Sequence, residues 1–398
     1  MSPARPRAAG AILIRRVELR FVSVPFRTPV IAAGRGWSAR RLGLVRVSAG
    51  DGLEGVGEIA LDGGPVLDAP LASALVVALA GLDPDDGRAT VRRLASLARR
   101  VERDPVVALV ADGPPSMQAA VGRAVRAGAE AAVLDFRGRA TGRPVRDLLG
   151  PGRRAEVEVN GLVSAVTVEA AAREAEALVA TGYRCLKLKV GGERTLDELV
   201  TRVAAVRSAI GSGVRLRLDA NGAWTEAQAI RALRALGGLE LEYVEQPVAP
   251  RLGAGALGRV RRSSPLPIAA DESVTGPPAA ARLVDEGAVD FLVVKPARVG
   301  GPGVALQIAD HAVARAVGVI VSTMFETGIG LASALHLAAA LPGPDRTHGL
   351  GTAELLVSDL LVDGPQVVDG RLAVPAGPGL GVTLDAAAVE RYASAVAE

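Results

Sequence analysis

The sequence predicts a (β/α)8-type barrel preceded by an α+β domain, and three observations carry that prediction. From about residue 160 to 360 one theme recurs: a short apolar strand, a polar cluster, then an Ala/Leu-rich amphipathic helix. The polar clusters keep a steady interval. From Lys189 the steps to Asp219, Glu245, Asp271, Lys295, Ser322 and Thr352 are 30, 26, 26, 24, 27 and 30 residues. Strand and helix alternating at that period make βα units with parallel strands and right-handed crossovers, and about eight such units close a barrel. Finally, no G-x-G-x-x-G follows a first strand, which counts against an open doubly wound sheet.

The elements follow in order. RRVELRFVSVPF (15–26) and LGLVRVSAGDGLEGVGEIAL (42–61) read as antiparallel strands with a GDG turn. A helix is expected near 116–136. Residues 1–150 are therefore taken as an α+β capping domain and 151–365 as the barrel. The segment 366–398, with several Gly and Pro, is expected to pack back on the first domain. The barrel strands are expected to be VEVNG (to Asn160), CLKLKV (to Lys189), VRLRLDAN (to Asp219), LEYVEQP (to Glu245), LPIAADES (to Asp271), FLVVKP (to Lys295), VGVIVST (to Ser322) and THGLGT (to Thr352).

Composition excludes several function classes. Aromatic residues are 3% of 398, too few for single-strand stacking platforms. The net charge of +3 comes from arginines interspersed with acids, a solvated surface and not a nucleic-acid footprint. Cys185 is the one cysteine, so neither an intrachain disulfide nor a Cys-based zinc site is available. His311, His336 and His348 are the only histidines, a poor supply for a paired-histidine mechanism. The run AAGAILI is short for a secretory segment, and no 18-residue uncharged apolar stretch occurs. The expectation is a cytoplasmic protein acting on a small molecule, with no nucleic-acid or membrane partner. The oligomeric state stays open, a homo-oligomer included.

Lysine usage points to the chemistry. Only Lys187, Lys189 and Lys295 are lysines; the other 43 of 46 basic residues are arginine. Side chains alternate along a strand, so in CLKLKV the leucines share one face and Lys187 and Lys189 the other. Barrel strands bury their outer face under helices, which turns the lysines inward, near the strand ends where barrel active sites lie. A solvated edge strand is the alternative, but a βα repeat offers no polar outer face.

Asp219, Glu245 and Asp271 end three successive strands 26 residues apart. Carboxylates at equivalent ends of neighbouring strands converge and repel unless a cation neutralises them. Oxygen donors completed by water and substrate suit Mg²⁺, with Mn²⁺ as a substitute. The competing reading makes each acid an N-cap of the following helix. Lysines before and after this triad suggest carbanion chemistry: the metal binds a substrate carboxylate, the α-proton becomes acidic, and a neutral lysine accepts it. Arginine cannot do this, because it stays protonated. A lysine base beside Mg²⁺ is an arrangement already known from enolase-type sites, so the pattern has a precedent.

The residues KLK (187–189), LDAN (218–221), EQP (245–247), ADES (270–273) and VKPARVGG (294–301) resemble the enolase superfamily, in its muconate-lactonizing-enzyme subgroup. That resemblance implies a modified TIM barrel under an N-terminal cap. A mandelate-racemase-type site would need a His/Asp dyad late in the barrel, where this chain has Lys295. RTPVIAAGRGWSARRLGLVRV (27–47), GEIA (57–60), VSTMFETGIG (321–330) and HGLGTAELLVSDL (348–360) resemble the o-succinylbenzoate synthase family. By that resemblance Lys189 is the base and then the acid, Lys187 tunes it, and Lys295 stabilises the enediolate. Ser322 and Thr323 then lie near the substrate tail, with Asn221 and Arg217 as further substrate contacts. Leu61 replaces the family's usual proline after GEIA, and the cap loop matches more loosely than the barrel. The alternatives are an N-acylamino acid racemase, a cycloisomerase, and a non-catalytic metal-binding homologue. His311, His336, Cys185 and Trp224 are read as packing or surface residues, and His348 as flanking the last strand.

Overall fold

The computed structural model describes residues 12–32, 35–61, 68–110, 115–150 and 154–393. Residues 8–11 of the AAGAILI run, 33–34 of the cap loop and the last five residues lie outside these.

The first domain is a three-stranded antiparallel sheet backed by helices. Strands β1 (Arg16–Ala32), β2 (Arg35–Ser48) and β3 (Glu54–Ala60) pair in that order. The GDG turn joins β2 to β3: Leu53 N donates to Asp51 Oδ1 and Ala49 N to Leu53 O. Helices α1 (Asp68–Leu79), α2 (Gly87–Glu102), α3 (Pro105–Val110), α4 (Pro115–Thr141) and α5 (Val145–Leu149) follow. Phe21, Val45, Val47 and Ile59 of the sheet bury against Leu75, Leu94, Leu97, Ala129 and Phe136 of the helices. Strand β3 lies so close to α4 that a Cβ added at Gly57 would sit 2.1 Å from Gly128 O.

The second domain is a seven-stranded parallel sheet curled into a barrel. Its strands are β5 (Gly161–Val163), β6 (Cys185–Lys189), β7 (Arg215–Asp219), β8 (Leu241–Glu245), β9 (Ile268–Ala270), β10 (Phe291–Val294) and β11 (Gly318–Val321), hydrogen-bonded in sequence order. Leu186, Leu188, Leu216 and Leu218 are fully buried in the layer between sheet and helices. Each contributes about 2 kcal/mol by leaving water, which fixes the parity of the inward residues. Helices α6 (Val168–Ala180), α7 (Leu196–Ile210) and α8 (Glu226–Ala235) are N-capped by Thr167, Thr195 and Thr225, whose hydroxyls accept backbone N–H bonds.

Two sequence expectations need correction. VEVNG is not the first barrel strand. Val157 and Glu158 belong to β4 (Glu156–Glu158), which joins the antiparallel sheet β12 (Val367–Val368)–β13 (Arg371–Ala373)–β4, and only the final Gly161 of the stretch enters the barrel, where it opens β5. THGLGT is not a regular strand either. His348 and Gly349 each make one isolated parallel bridge, to Val159 and to Ser322. Gly349 packs so tightly that an added Cβ would lie 2.8 Å from Ser322 Oγ. The eighth position is thus filled by a short irregular segment that closes the barrel without a ladder.

After β13 the chain returns to the first domain. Ser23 N donates to Tyr392 O at 2.8 Å, and Arg20 pairs with Glu390 at 2.6 Å. Among the described residues no helix is long and apolar enough to cross a membrane.

Candidate active site

Parallel register brings the chemistry-bearing residues into one row. Lys189 pairs with Asp219 across β6–β7, and Asp219 with Glu245 across β7–β8. One level below lie Lys187, Arg217 and Tyr243. The acids are not helix caps: α8 is capped by Thr225, α9 (Gly253–Ser263) by Leu252 and α10 (Pro277–Asp285) by Gly276. Asp219, Glu245 and Asp271 are at most 1% exposed. Burying three unpaired carboxylates would be prohibitive, and the three lysines answer it. Lys187 Nζ lies 2.9 Å from Asp219 Oδ2 and 3.1 Å from Glu245 Oε1. Lys189 Nζ lies 2.6 Å from Asp219 Oδ2 and 2.8 Å from Asn221 Oδ1. Lys295 Nζ lies 2.7 Å from Asp271 Oδ2, and Arg298 pairs with the other oxygen.

The electrostatics follow from this packing. Burial alone would lower the Lys187 ammonium, but Asp219, Glu245 and Asp271 outweigh it and hold it well above the ordinary lysine value. Burial opposes ionisation of Asp219 and Asp271 too, yet their lysine and arginine partners hold both below the ordinary range. Glu245 goes the other way. Burial first, then Asp219 and Asp271, push it up to about 8 against the pull of Lys187 and Lys295. Added positive charge beside this carboxyl would lower it again.

As they stand, the carboxylates face ammonium groups and not one another. Among the described residues no group of three His, Cys, Asp or Glu side chains is arranged to hold a metal ion. The donor set nevertheless fits a hard divalent cation in kind: all oxygen, all buried, on adjacent strand ends. Glu272 Oε2 beside it is buried without a hydrogen-bond partner, while its Oε1 accepts from Asn221 Nδ2 at 2.9 Å. A cation held here would compete with the lysine ammoniums for these carboxylate oxygens.

Over the row opens a cavity of about 340 Å³ lined by Lys187, Lys189, Asn221 and Lys295, by Glu272 and Arg298, and by Ser322, Thr323, Met324 and Phe325. Trp37 and Arg40 of β2 line it from the cap. Left-handed backbone follows two strand ends: Asn221 has φ 44° and Gln246 φ 39°. Such conformations concentrate at sites where surrounding contacts over-determine them. Asn221 N donates to Asp219 Oδ1 at 3.1 Å; Gln246 Oε1 accepts from Asp271 N at 3.0 Å and Ser273 N at 3.1 Å. Each holds an acid, or the backbone carrying it, in place.

The sequence-predicted residues divide. The lysines, Asn221, Ser322 and Thr323 line the cavity, and the three acids lie among the lysines. Arg217 is not in the cavity, a correction to its expected substrate contact. It is fully buried one level down, with Nε 2.6 Å from Glu242 Oε2, NH1 3.3 Å from Asn160 Oδ1, NH2 3.1 Å from Thr347 O, and its guanidinium over the Tyr243 ring. Inward parity was read correctly for it, but depth was not. Trp37, Arg40, Gln246, Glu272, Arg298 and Phe325 were not singled out. All six lie inside quoted motifs (Trp37 and Arg40 in the 27–47 cap loop, the others in EQP, ADES, VKPARVGG and VSTMFETGIG), so motif membership was the available signal, although no spacing rule places β2 over the barrel. His348 is buried with Nδ1 accepting from Val321 N at 3.0 Å, His336 is buried in α13 (Gly328–Ala340), and His311 pairs with Asp285 at the surface.

Comparison with known proteins agrees with this architecture. Residues 15–150 match the mandelate racemase/muconate lactonizing enzyme N-terminal domain, and residues 169–388, more than half the chain, match the enolase C-terminal domain-like family. Muconate cycloisomerase 1 of Pseudomonas putida is 32% identical over 398 residues, covering 96% of this chain and 99% of that protein. The o-succinylbenzoate synthase of Thermobifida fusca is 41% identical over 233 residues, covering 58% of this chain and 68% of that protein. The muconate lactonizing enzyme of Pseudomonas fluorescens, solved with muconolactone, superposes with a TM-score of 0.82 at 29% identity, covering 97% of this chain and 100% of that one. With a matching cap, a matching barrel and relatives aligned over nearly its whole length, this chain belongs to the enolase superfamily, among the mandelate racemase/muconate lactonizing enzymes.

Proposed function

We propose that the protein moves a proton α to a substrate carboxylate and, within that chemistry, dehydrates 2-succinyl-6-hydroxy-2,4-cyclohexadiene-1-carboxylate to o-succinylbenzoate, a step of menaquinone biosynthesis. The observation that carries the first part is the row of three lysines set among three buried carboxylates on the floor of one cavity. Asp219, Glu245 and Asp271 would hold a divalent cation, Mg²⁺ or in substitution Mn²⁺, which when bound supplies Lewis-acid polarisation of the substrate carboxylate. Lys189, once neutral, takes the proton from the carbon bearing that carboxylate. Lys295 presents an ammonium to the charge that develops, and Lys187 tunes Lys189 through their shared partner Asp219. Lys189 then returns its proton to the departing hydroxyl, so one water leaves and the ring becomes aromatic. Ser322 and Thr323 line the wall assigned to the succinyl tail. The 41% identity to a synthase supports the finer assignment.

An isomerase on the same scaffold is the second reading, favoured by the full-length match to a muconate cycloisomerase. For a racemase, Lys189 and Lys295 stand four strands apart in the sheet and could serve opposite faces of an α-carbon. A three-arm assay separates these readings. One arm follows aromatisation of the cyclohexadiene by absorbance, one follows α-proton exchange of N-succinyl amino acids in D₂O, and one follows lactonisation of cis,cis-muconate. Aromatisation supports the synthase; exchange or lactonisation without it overturns that assignment in favour of the isomerase that responds.

A further inference from the structure

One wall of the cavity depends on the other domain. Ser322–Phe325 follow β11, and Phe325 adopts a φ of 61°, a conformation bulky residues rarely hold without help. The chain then passes through Glu326 and Thr327 into α13. Each cap strand acts on one of the three residues at this bend, two by contact and one by charge. Phe26 of β1 meets Phe325 edge to face, with ring centroids 5.6 Å apart. The Arg40 charge of β2 acts on Glu326. Glu58 of β3, only 5% exposed, accepts from Thr327 N at 2.9 Å, Thr327 Oγ1 at 2.5 Å and Gly330 N at 3.2 Å.

Glu58 is the most demanding of these contacts. A carboxylate buried without a cationic partner is costly, and here unpaired N–H groups at a helix N-terminus offset that cost. Its mount is stiff, because the glycine before it brings β3 into backbone contact with α4. The helix side is equally constrained: a Cβ added at Gly330 would lie 2.5 Å from Glu326 Cβ and 3.5 Å from Glu58 Cδ.

We infer that Glu58 is a positioning residue for substrate binding: from the cap it fixes the backbone of 325–330 and through it the Ser322–Phe325 wall of the cavity. The cap thereby shapes the barrel side of the site as well as its roof. The inference does not depend on which carboxylate is the substrate.

Glu58→Gln tests it. The amide keeps the shape and one acceptor oxygen but places an NH₂ where an oxygen accepted. Hydrogen–deuterium exchange is the first readout and needs no turnover. Residues 322–331 should exchange at least about fivefold faster in the variant, with α7 unchanged as the internal reference; unchanged protection of 322–331 overturns the inference. The second readout uses whichever substrate the unmodified enzyme turns over. KM should rise about tenfold with kcat within about threefold. Thr327→Val should reproduce the rise, and Thr327→Ser, which keeps the hydroxyl, should not. A lowered Tm with unchanged KM well below that temperature would assign Glu58 a purely structural role and overturn the inference. Absence of turnover in the unmodified enzyme would instead count against the proposed chemistry and leave the exchange result to decide this one.

Discussion

Replacing Arg217 with methionine separates a barrel-interior ion pair from a substrate contact. The guanidinium is fully buried and serves Glu242, Asn160 and Thr347 together while stacking on Tyr243. Methionine fills much of the volume but satisfies none of the acceptors. Breaking a buried pair by removing one partner costs about 3–5 kcal/mol. For a domain of this size about 2–4 °C of Tm accompany each kcal/mol, so the midpoint should fall by about 10 °C. Glu242 keeps a second, longer contact, Arg215 NH1 at 3.8 Å, which places the loss toward the lower end. Adding Glu242→Leu removes the stranded charge and should recover part of the loss, because an apolar pair often matches a buried ionic one. Recovery should stay incomplete while Asn160 Oδ1 and Thr347 O lack their donor. Thermal and urea unfolding measure stability, and steady-state kinetics below the transition measure KM. A variant that melts within about 2 °C of the parent but loses substrate affinity more than tenfold would refute this placement of Arg217.

Other perturbations address the row and the buried acids and bases. Lys189→Arg keeps the charge beside Asp219 but cannot release a proton, so turnover should fall by at least about 10³-fold with the fold intact; activity within about tenfold of the parent would remove Lys189 as the base. EDTA should stop turnover and Mg²⁺ or Mn²⁺ restore it, and Tm should rise with Mg²⁺ concentration because a ligand bound only by the folded state stabilises it; full activity in a metal-free preparation would refute the carboxylate assignment. Burial, partly opposed by Thr327 and reinforced by Glu326, pushes Glu58 from 4.5 up to about 7. The folded state thus holds that proton more tightly than the unfolded one, and stability declines as pH rises from about 4.5 through 7. Glu58→Gln removes this slope, so the stability difference between parent and variant should change by about 2–3 kcal/mol between pH 5 and 8 in urea titrations; an unchanged difference would refute the burial argument. Burial, with the Arg217, Arg154 and Arg346 charges, pushes His348 down to about 3, and burial pushes His336 down to about 4. Both stay neutral in the folded state while their unfolded forms protonate, so stability should fall as pH drops below about 6.5. His348→Gln should flatten that fall, as measured by acid unfolding.

Much of the barrel could be read locally. Alternation within CLKLKV and RLRLDA orients each side chain because a helix-covered strand leaves only one face for charge. The spacing of Asp219, Glu245 and Asp271 puts them at equivalent strand ends for the same reason. Reading failed where pairing partners are distant in sequence. Glu156–Glu158 has strand character either way, and only its partner β13, more than two hundred residues on, assigns it to a different sheet. His348 and Gly349 look like a strand end, but the tight approach to Ser322 leaves only bridges.

The sequence by itself determined the repeat, the inward row of lysines and carboxylates, and the class of chemistry proposed for such a row. These depend on side-chain period and residue type, which are local properties. Tertiary structure alone decided the depth of Arg217 in the barrel, the ion-pair partners of each lysine and the cap residues over the cavity. It also decided the grip of Glu58 on α13, 269 positions from Thr327. Those are consequences of packing between segments that share no local pattern, and the physical constraint on them is burial: a charge removed from water takes whichever partner the fold brings within reach.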